Sequence, residues 1–190
     1  MSNSVQRRGP GSRAGGNHPT RLELLTSATD IAERDGITAL TVGAVTKAAG
    51  HAKGTFYVHF EDRADLLVEM HRRFHDDLFA AISRAAEAAP DGPSRARLRI
   101  IAFLDGCRQQ RGVKSMLFQA RHEPVIAEMA RQRNEEAAQV LALEIDSATP
   151  TPVETAQLLV AATIEVAVQE LTSGKRLARL RTALLKMVPD

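Results

Sequence analysis

The stretch TVGAVTKAAGHAKGTFYVHF, residues 41–60, decides how this chain is read. It holds Tyr57, the single tyrosine, and two of the six phenylalanines, Phe56 and Phe60. Thr41 suits the N-cap of a short helix to about Ala49, since its hydroxyl can accept one of the orphan backbone N–H groups. The corner Ala48-Ala49-Gly50 follows, and a second short helix is expected from about Lys53 to Phe60. Two short helices joined by a glycine that relieves a sharp reversal make a helix-turn-helix. On a helical wheel Phe56 and Phe60 fall together and are expected to pack on Val42, Val45 and the helix before them. Gly54, Thr55, Val58 and His59 are then expected on the opposite side. That face offers short side chains and donors, flanked by Lys53 and the Tyr57 hydroxyl, and Gly54 lets a backbone approach closely. A helix that enters a DNA groove needs this chemistry.

Outward from this segment the pattern stays helical. Leu24, Leu25, Ala28, Ile31 and Ala32 share one face of a helix that begins at Thr20, and Gly36 supplies its stop. A fourth helix starts at the N-cap Asp62 and runs through Leu66, Leu67, Met70, Phe74, Leu78 and Ile82 to about Ala89. Beyond the break Pro90-Asp91-Gly92-Pro93, helices are expected from Ser94 to Gln110 and from Val113 to Arg121. Pro124 suits the first turn of a long helix that ends before Thr149. Thr149-Pro150-Thr151-Pro152 separates it from helices at about 153–173 and 175–188. No alternating strand pattern or internal repeat appears. The chain is therefore expected to be all-α with about nine helices: a three-helix, helix-turn-helix DNA-binding domain at 20–65 and a helical bundle at 66–190.

Charge divides along the chain. The first 63 residues hold eight bases against six acids, which accounts for the whole formal charge of +2. The first acid is Glu23, so residues 1–19, rich in Gly, Ser, Pro and Asn, read as a disordered basic arm able to lie along a phosphate backbone. No run of about eighteen apolar residues exists to span a membrane. Behind Arg7 and Arg8 there is no apolar core of a secretory signal. Cys107 is alone, so neither an intramolecular disulfide nor a zinc site of several thiolates is available, and the chain reads as cytoplasmic. No Gly-rich phosphate loop, nucleophile elbow or firm metal-ligand set marks an enzyme.

Arg21 to Leu67, with Leu24-Leu25, Gly36, Thr41-Val42, Ala48-Ala49-Gly50, Lys53-Gly54-Thr55-Phe56-Tyr57-x-His59-Phe60 and Asp65-Leu66-Leu67, strongly resembles the DNA-binding domain of TetR-family transcriptional regulators. The resemblance implies roles for particular residues. Thr41 would meet a backbone phosphate; Lys53 and Thr55, beside Ala52 and Gly54, would contact the major groove or flanking phosphates; Tyr57 and His59 would clamp phosphates. Arg63 stands where a lysine is common, which keeps the charge and changes the donor geometry. Three positions depart from the family pattern. His51 replaces an apolar residue, Ala52 a Ser or Thr cap, and Thr46 an alanine; the first two lie where operator preference would be set.

The resemblance further implies a homodimeric repressor that binds a palindromic double-stranded operator and is released when a small-molecule effector swings helix four. An effector-independent architectural DNA-binding protein and, behind it, an all-α enzyme stay open as alternatives. No cofactor is expected beyond that effector. The helix at 153–173 is apolar almost all round, and with the stripe Leu177, Leu180, Leu184 and Met187 it would form half of a four-helix dimer contact. Candidates for the effector pocket are Phe74, Leu78, Phe103, Cys107, Met116, Phe118 and Met129. Glu165 and Gln169 join them as polar groups interrupting a buried helix, with the dimer interface ranked first for that pair. His71 and His75 have the i, i+4 spacing of metal ligands, with Asp76 and His122 near, yet read as a solvated pair rather than a metal site. Cys107, beside Asp105 and Arg108, reads as a small hydrophobe before a redox sensor.

Overall fold

The structure, a computed structural model, describes residues 18–190, apart from the side chains at 112, 116 and 117. Among these residues it has nine α-helices, three short 3-10 turns and no strand. The basic arm lies outside the described residues up to position 17. His18 and Pro19, assigned to the arm in the sequence, are instead the N-cap and first residue of α1 (Pro19–Asp35), where proline's fixed φ suits a helix start.

The chain forms two compact units, one ending at Arg72 and one of Arg73–Asp190, with the division inside α4 (Arg63–Ala86). In the first, α1 buries Leu24, Leu25, Ala28, Ile31 and Ala32, the face its spacing predicts. Val45 of α2 (Val42–Ala48) and Phe56 of α3 (Lys53–His59) are buried in the same unit, as are Phe60, Leu66, Leu67 and Met70. Gly50, at φ 72°, takes the left-handed turn between α2 and α3 that other residues resist. At the start of α4 the Asp62 carboxylate accepts from the Asp65 N–H at 2.9 Å, and Asp65 accepts from the Glu61 N–H at 3.1 Å. The Glu69 carboxylate lies 2.9 Å from the Arg21 guanidinium and accepts from Arg72 at 2.7 Å, which fastens α1 to α4. Burial alone would raise the Glu69 carboxyl, but these two arginines outweigh it and pull the carboxyl down to about 2.

The second unit contains the rest of α4 with α5 (Pro93–Gln109), α6 (Arg111–Gln119), α7 (Pro124–Ile145), α8 (Pro152–Ser173) and α9 (Ala178–Lys186). Its core draws on Phe74, Leu78, Ile100, Leu104, Ile126, Leu141, Ile145, Leu159, Val166 and Leu184. A Cβ on Gly106 would meet the Leu78 side chain at 2.3 Å, so α4 and α5 pack closely only because position 106 has no side chain. An ion network joins three helices here. Buried Arg181 of α9 donates to both oxygens of Glu170 in α8 at 2.7 and 2.6 Å, and to Asp105 of α5. The Leu177 N–H completes Glu170 at 2.8 Å. Gly174 closes α8 in the left-handed conformation expected of a C-terminal glycine. No helix among the described residues is long and apolar enough to cross a membrane.

His71 and His75 are buried, not solvated as the charged helix suggested. Their turn of α4 faces inward with Met70 and Phe74, and the neighbouring bases Arg72 and Asp76's partner Arg133 mark its polar edge. No group of three or more His, Cys, Asp or Glu among the described residues is placed to share a metal ion.

Candidate nucleic-acid interface

Each side of the α2-turn-α3 segment has a local cause. The Thr41 hydroxyl accepts from the Ala44 N–H at 3.1 Å and so caps α2, which leaves its own hydrogen to donate outward. Thr46, unusual at its position, is buried and gives its hydroxyl to the Val42 carbonyl at 2.9 Å; a polar group inside is tolerated because it is bonded. Phe56 and Phe60 are wholly buried, with ring centroids 5.3 Å apart, and the Arg21 guanidinium covers Phe60 at 4.7 Å.

The other side of α3 is open. Ala52, Lys53, Gly54, Tyr57 and Val58 are exposed, Tyr57 by 59%, while Thr55 is half-buried. Ala52 provides no side-chain cap, and only its carbonyl is bonded, to the Thr55 N–H at 3.0 Å. A Cβ on Gly54 would touch nothing within 4 Å, so its backbone stands clear for a close approach. The stem of Lys53 passes over Gly43, where a Cβ would lie 3.4 Å from the lysine Cε, and that glycine gives the stem room to lie across α2.

Three residues are placed otherwise than the sequence suggests. His59, expected on the outward face, is buried to 8% exposure and stacks on His18 with ring centroids 4.9 Å apart. It lies three residues from Phe56, on the edge of the packed face, and the His18 ring closes over it. Burial first, then the charges of His18, Arg21 and His51, hold the His59 imidazole below its ordinary value, and its buried Nδ1 has no hydrogen-bond partner. Arg63, expected on a phosphate, donates from Nε to the Leu40 carbonyl at 2.8 Å and from Nη2 to the Ile37 carbonyl at 3.1 Å. It therefore ties the start of α4 to the chain before α2. His51, next to the turn glycine, holds the Glu23 carboxylate of α1 at 2.7 Å, a bond that no local sequence signal foretells.

The effector candidates in the second unit part company. Phe74, Leu78 and Cys107 are buried, and burial pushes the Cys107 thiol up to about 11, so it behaves as a small hydrophobe. Phe103 is half-buried, and the Lys114 ammonium lies 5.5 Å from the Phe74 ring centroid and 5.6 Å from that of Phe103. Phe118 is half-buried under the Arg121 guanidinium at 4.0 Å, Met129 is half-buried, and the Met116 side chain lies outside the described residues. Glu165 and Gln169 are not inside at all. They are exposed on α8 and bonded to each other at 2.7 Å, because the helix keeps one face uncovered and they stand on it. An open groove of about 400 Å³ between α7 and α8 is lined by Arg131, Glu135, Ala138, Val160 and Ile164 among others, and by none of the expected residues.

A three-helix unit with an aromatic-anchored short helix after a glycine turn, its far side polar and open, defines the helix-turn-helix class of nucleic-acid-binding proteins. Residues 24–70 match the family described as bacterial regulatory proteins, tetR family. The chain is 27% identical over 113 residues to the transcriptional activator FasR of Mycolicibacterium smegmatis, covering 55% of this chain and 52% of that one. To the transcriptional repressor KstR2 of Rhodococcus jostii it is 33% identical over 92 residues, 48% of this chain and 44% of that one. The chain thus spans about half the length of the curated relatives it matches. The family and both relatives are regulators, not enzymes. Among solved structures, a transcriptional regulator of Rhodococcus sp. RHA1 superimposes with a TM-score of 0.73 at 19% identity, over 88% of this chain and 93% of that one. The multidrug-binding protein EbrR, complexed with malachite green, does so at 0.73 and 20% identity, over 90% and 98%. At such identities these likenesses concern the fold.

Proposed function

We propose that the chain is a DNA-binding transcriptional regulator, a homodimeric repressor that lays α3 in the major groove of a palindromic operator and acts in the cytoplasm. The observation that carries this reading is the division of α3, with Phe56 and Phe60 wholly buried and Lys53, Gly54 and Tyr57 exposed together on its other side. In this reading Lys53 and Thr55 meet bases or flanking phosphates, while Thr41 and Tyr57 bond phosphates through their hydroxyls. Ala52 and Gly54 keep the start of α3 low enough for the groove. His59 contributes at most an edge of its ring, and Arg63 serves through the donor it does not give to Leu40 and Ile37.

A second copy would cover α8, whose exposed Val153, Leu158 and Ala161 leave an apolar face in water. One of the two half-sites would then face each α3, a spacing that a two-fold dimer imposes on its operator. A small-molecule effector would enter the second unit near Phe74, Phe103 and Lys114, an aromatic and cationic corner suited to a partly apolar ligand with an anionic or π-rich group. The same corner takes in Leu78, Cys107, Phe118 and Met129 as candidates for its lining, whereas Glu165 and Gln169 belong with the dimer face. Release requires the effector to favour one of two conformations.

The test is selection of bound duplexes from a random pool, followed by a small-molecule screen for release from the selected site. An enriched palindrome with half-sites about one helical turn apart supports the reading. Failure to enrich any palindrome overturns it, and an enriched site that no compound releases leaves an architectural DNA binder in its place.

A further inference from the structure

The start of α3 has no anchor of its own. Ala52, the N-cap, has no side-chain oxygen to offer the first turn, and Ala52, Lys53 and Gly54 are all exposed. The first buried side chain of the helix is Phe56, at its fourth position. Seven residues are too few for a helix to hold itself in water, so the first turn depends on what precedes it.

What precedes it is a turn fastened at three points. Gly50 takes φ 72°, the His51 N–H donates to the Thr46 carbonyl at 2.8 Å, and His51 Nε2 lies 2.7 Å from a Glu23 carboxylate oxygen. The first two tie the turn to α2. The third carries it across to the second turn of α1, and the His51 side chain is only 26% exposed there. With Nε2 held by a carboxylate, the imidazole is turned toward α1 and works as a strut. The other charges near the turn are basic: Lys47 and Lys53 beside it in the chain, Arg21 on α1, and His59, whose imidazole feels the charge of His51. Asp30, the next acid along α1, stands about 10 Å further on. Glu23 itself is an exposed carboxylate on the unit that would meet a polyanion, and by charge alone its removal would tighten DNA binding.

We propose that Glu23 and His51 are positioning residues for DNA binding: the carboxylate, through the imidazole, sets the angle at which α3 leaves the turn and presents Lys53 and Gly54 to the operator. The proposal rests on the DNA-binding reading above and adds what holds the uncapped end of the helix. The test measures binding of the full chain to the duplex enriched from the random pool, at fixed ionic strength, for Glu23→Ala, His51→Ala and the double variant. Helical circular dichroism and the melting temperature are checked first, and Glu23→Gln and His51→Gln replace any alanine variant that fails to fold. Glu23→Ala should bind at least about threefold more weakly, against the sign that charge alone predicts, and His51→Ala should do the same. The double variant should be no weaker than either single one. Histidine changes charge near neutral pH and only the imidazolium makes this bond an ion pair, so the non-additivity should be larger at about pH 6 than at about pH 8. Binding unchanged or tightened by Glu23→Ala, single effects that multiply in the double variant, or non-additivity indifferent to pH each overturns the proposal while DNA binding stands. A pool from which no duplex is enriched removes the DNA-binding reading and the proposal with it.

Discussion

In the proposed reading, Gly54 and His59 divide α3 between DNA binding and stability, and each can be tested by a single substitution. Position 54 has open space for a methyl group, and alanine is favoured over glycine inside a helix by about 0.5–1 kcal/mol. Gly54→Ala is therefore expected to raise the melting temperature slightly while weakening operator binding; opposite signs in the two assays would locate the glycine's purpose in the complex. His59 acts in the other direction. Its imidazole is held below the ordinary 6.5 by burial and by its cationic neighbours, so the folded chain takes up fewer protons than the unfolded one as pH falls. The contribution is complete above the unfolded value and is lost as pH drops through the folded one. Thermal melts at about pH 7.5 and about pH 5.5 should show a loss of stability that is smaller in His59→Asn. Thr41, Gly50, Phe56 and Phe60 were legible as letters, since caps, left-handed turns and i, i+4 faces depend on nearby residues. His59 and Arg63 were not, because their partners His18 and Leu40 come from other elements.

Helix starts, stops and order follow from local signals: Pro19, Pro93, Pro124 and Pro152 each open a helix, and Gly36 and Gly174 each close one. Which face turns inward is harder to read where a helix is apolar nearly all round. Glu165 and Gln169 of α8 share a side with Leu158, and only the positions of the neighbouring helices tell that this side is left in water. The bond from Arg181 to Glu170 spans eleven residues and a turn, and a charged residue on the α9 stripe gives no sign in sequence that it will be buried. Its energetics are asymmetric. Arg181→Met leaves Glu170 buried without its cation and should cost about 3–5 kcal/mol in urea unfolding. Replacing both partners by apolar residues should recover much of that loss. Equal losses in the single and double variants would show that the pair itself, and not the stranded carboxylate, carries the stability.

At the scale of the whole molecule, the first unit resembles a family in nearly every anchor position, whereas the second agrees in helix number and length but has no diagnostic motif. Cores constrain apolar spacing strongly, and that pattern is shared by many bundles. The proposed effector corner draws on Phe74, Phe103 and Lys114, side chains brought together from different helices, which no spacing rule collects. The most direct measurement is footprinting of the selected operator by the chain and by the double variant Lys53→Ala, Tyr57→Phe, with sedimentation run in parallel. Both side chains are exposed, so the variant should fold and associate as before, while protection should require at least about tenfold more protein. Undiminished protection by the double variant would contradict the assignment of α3 as the helix that reads DNA.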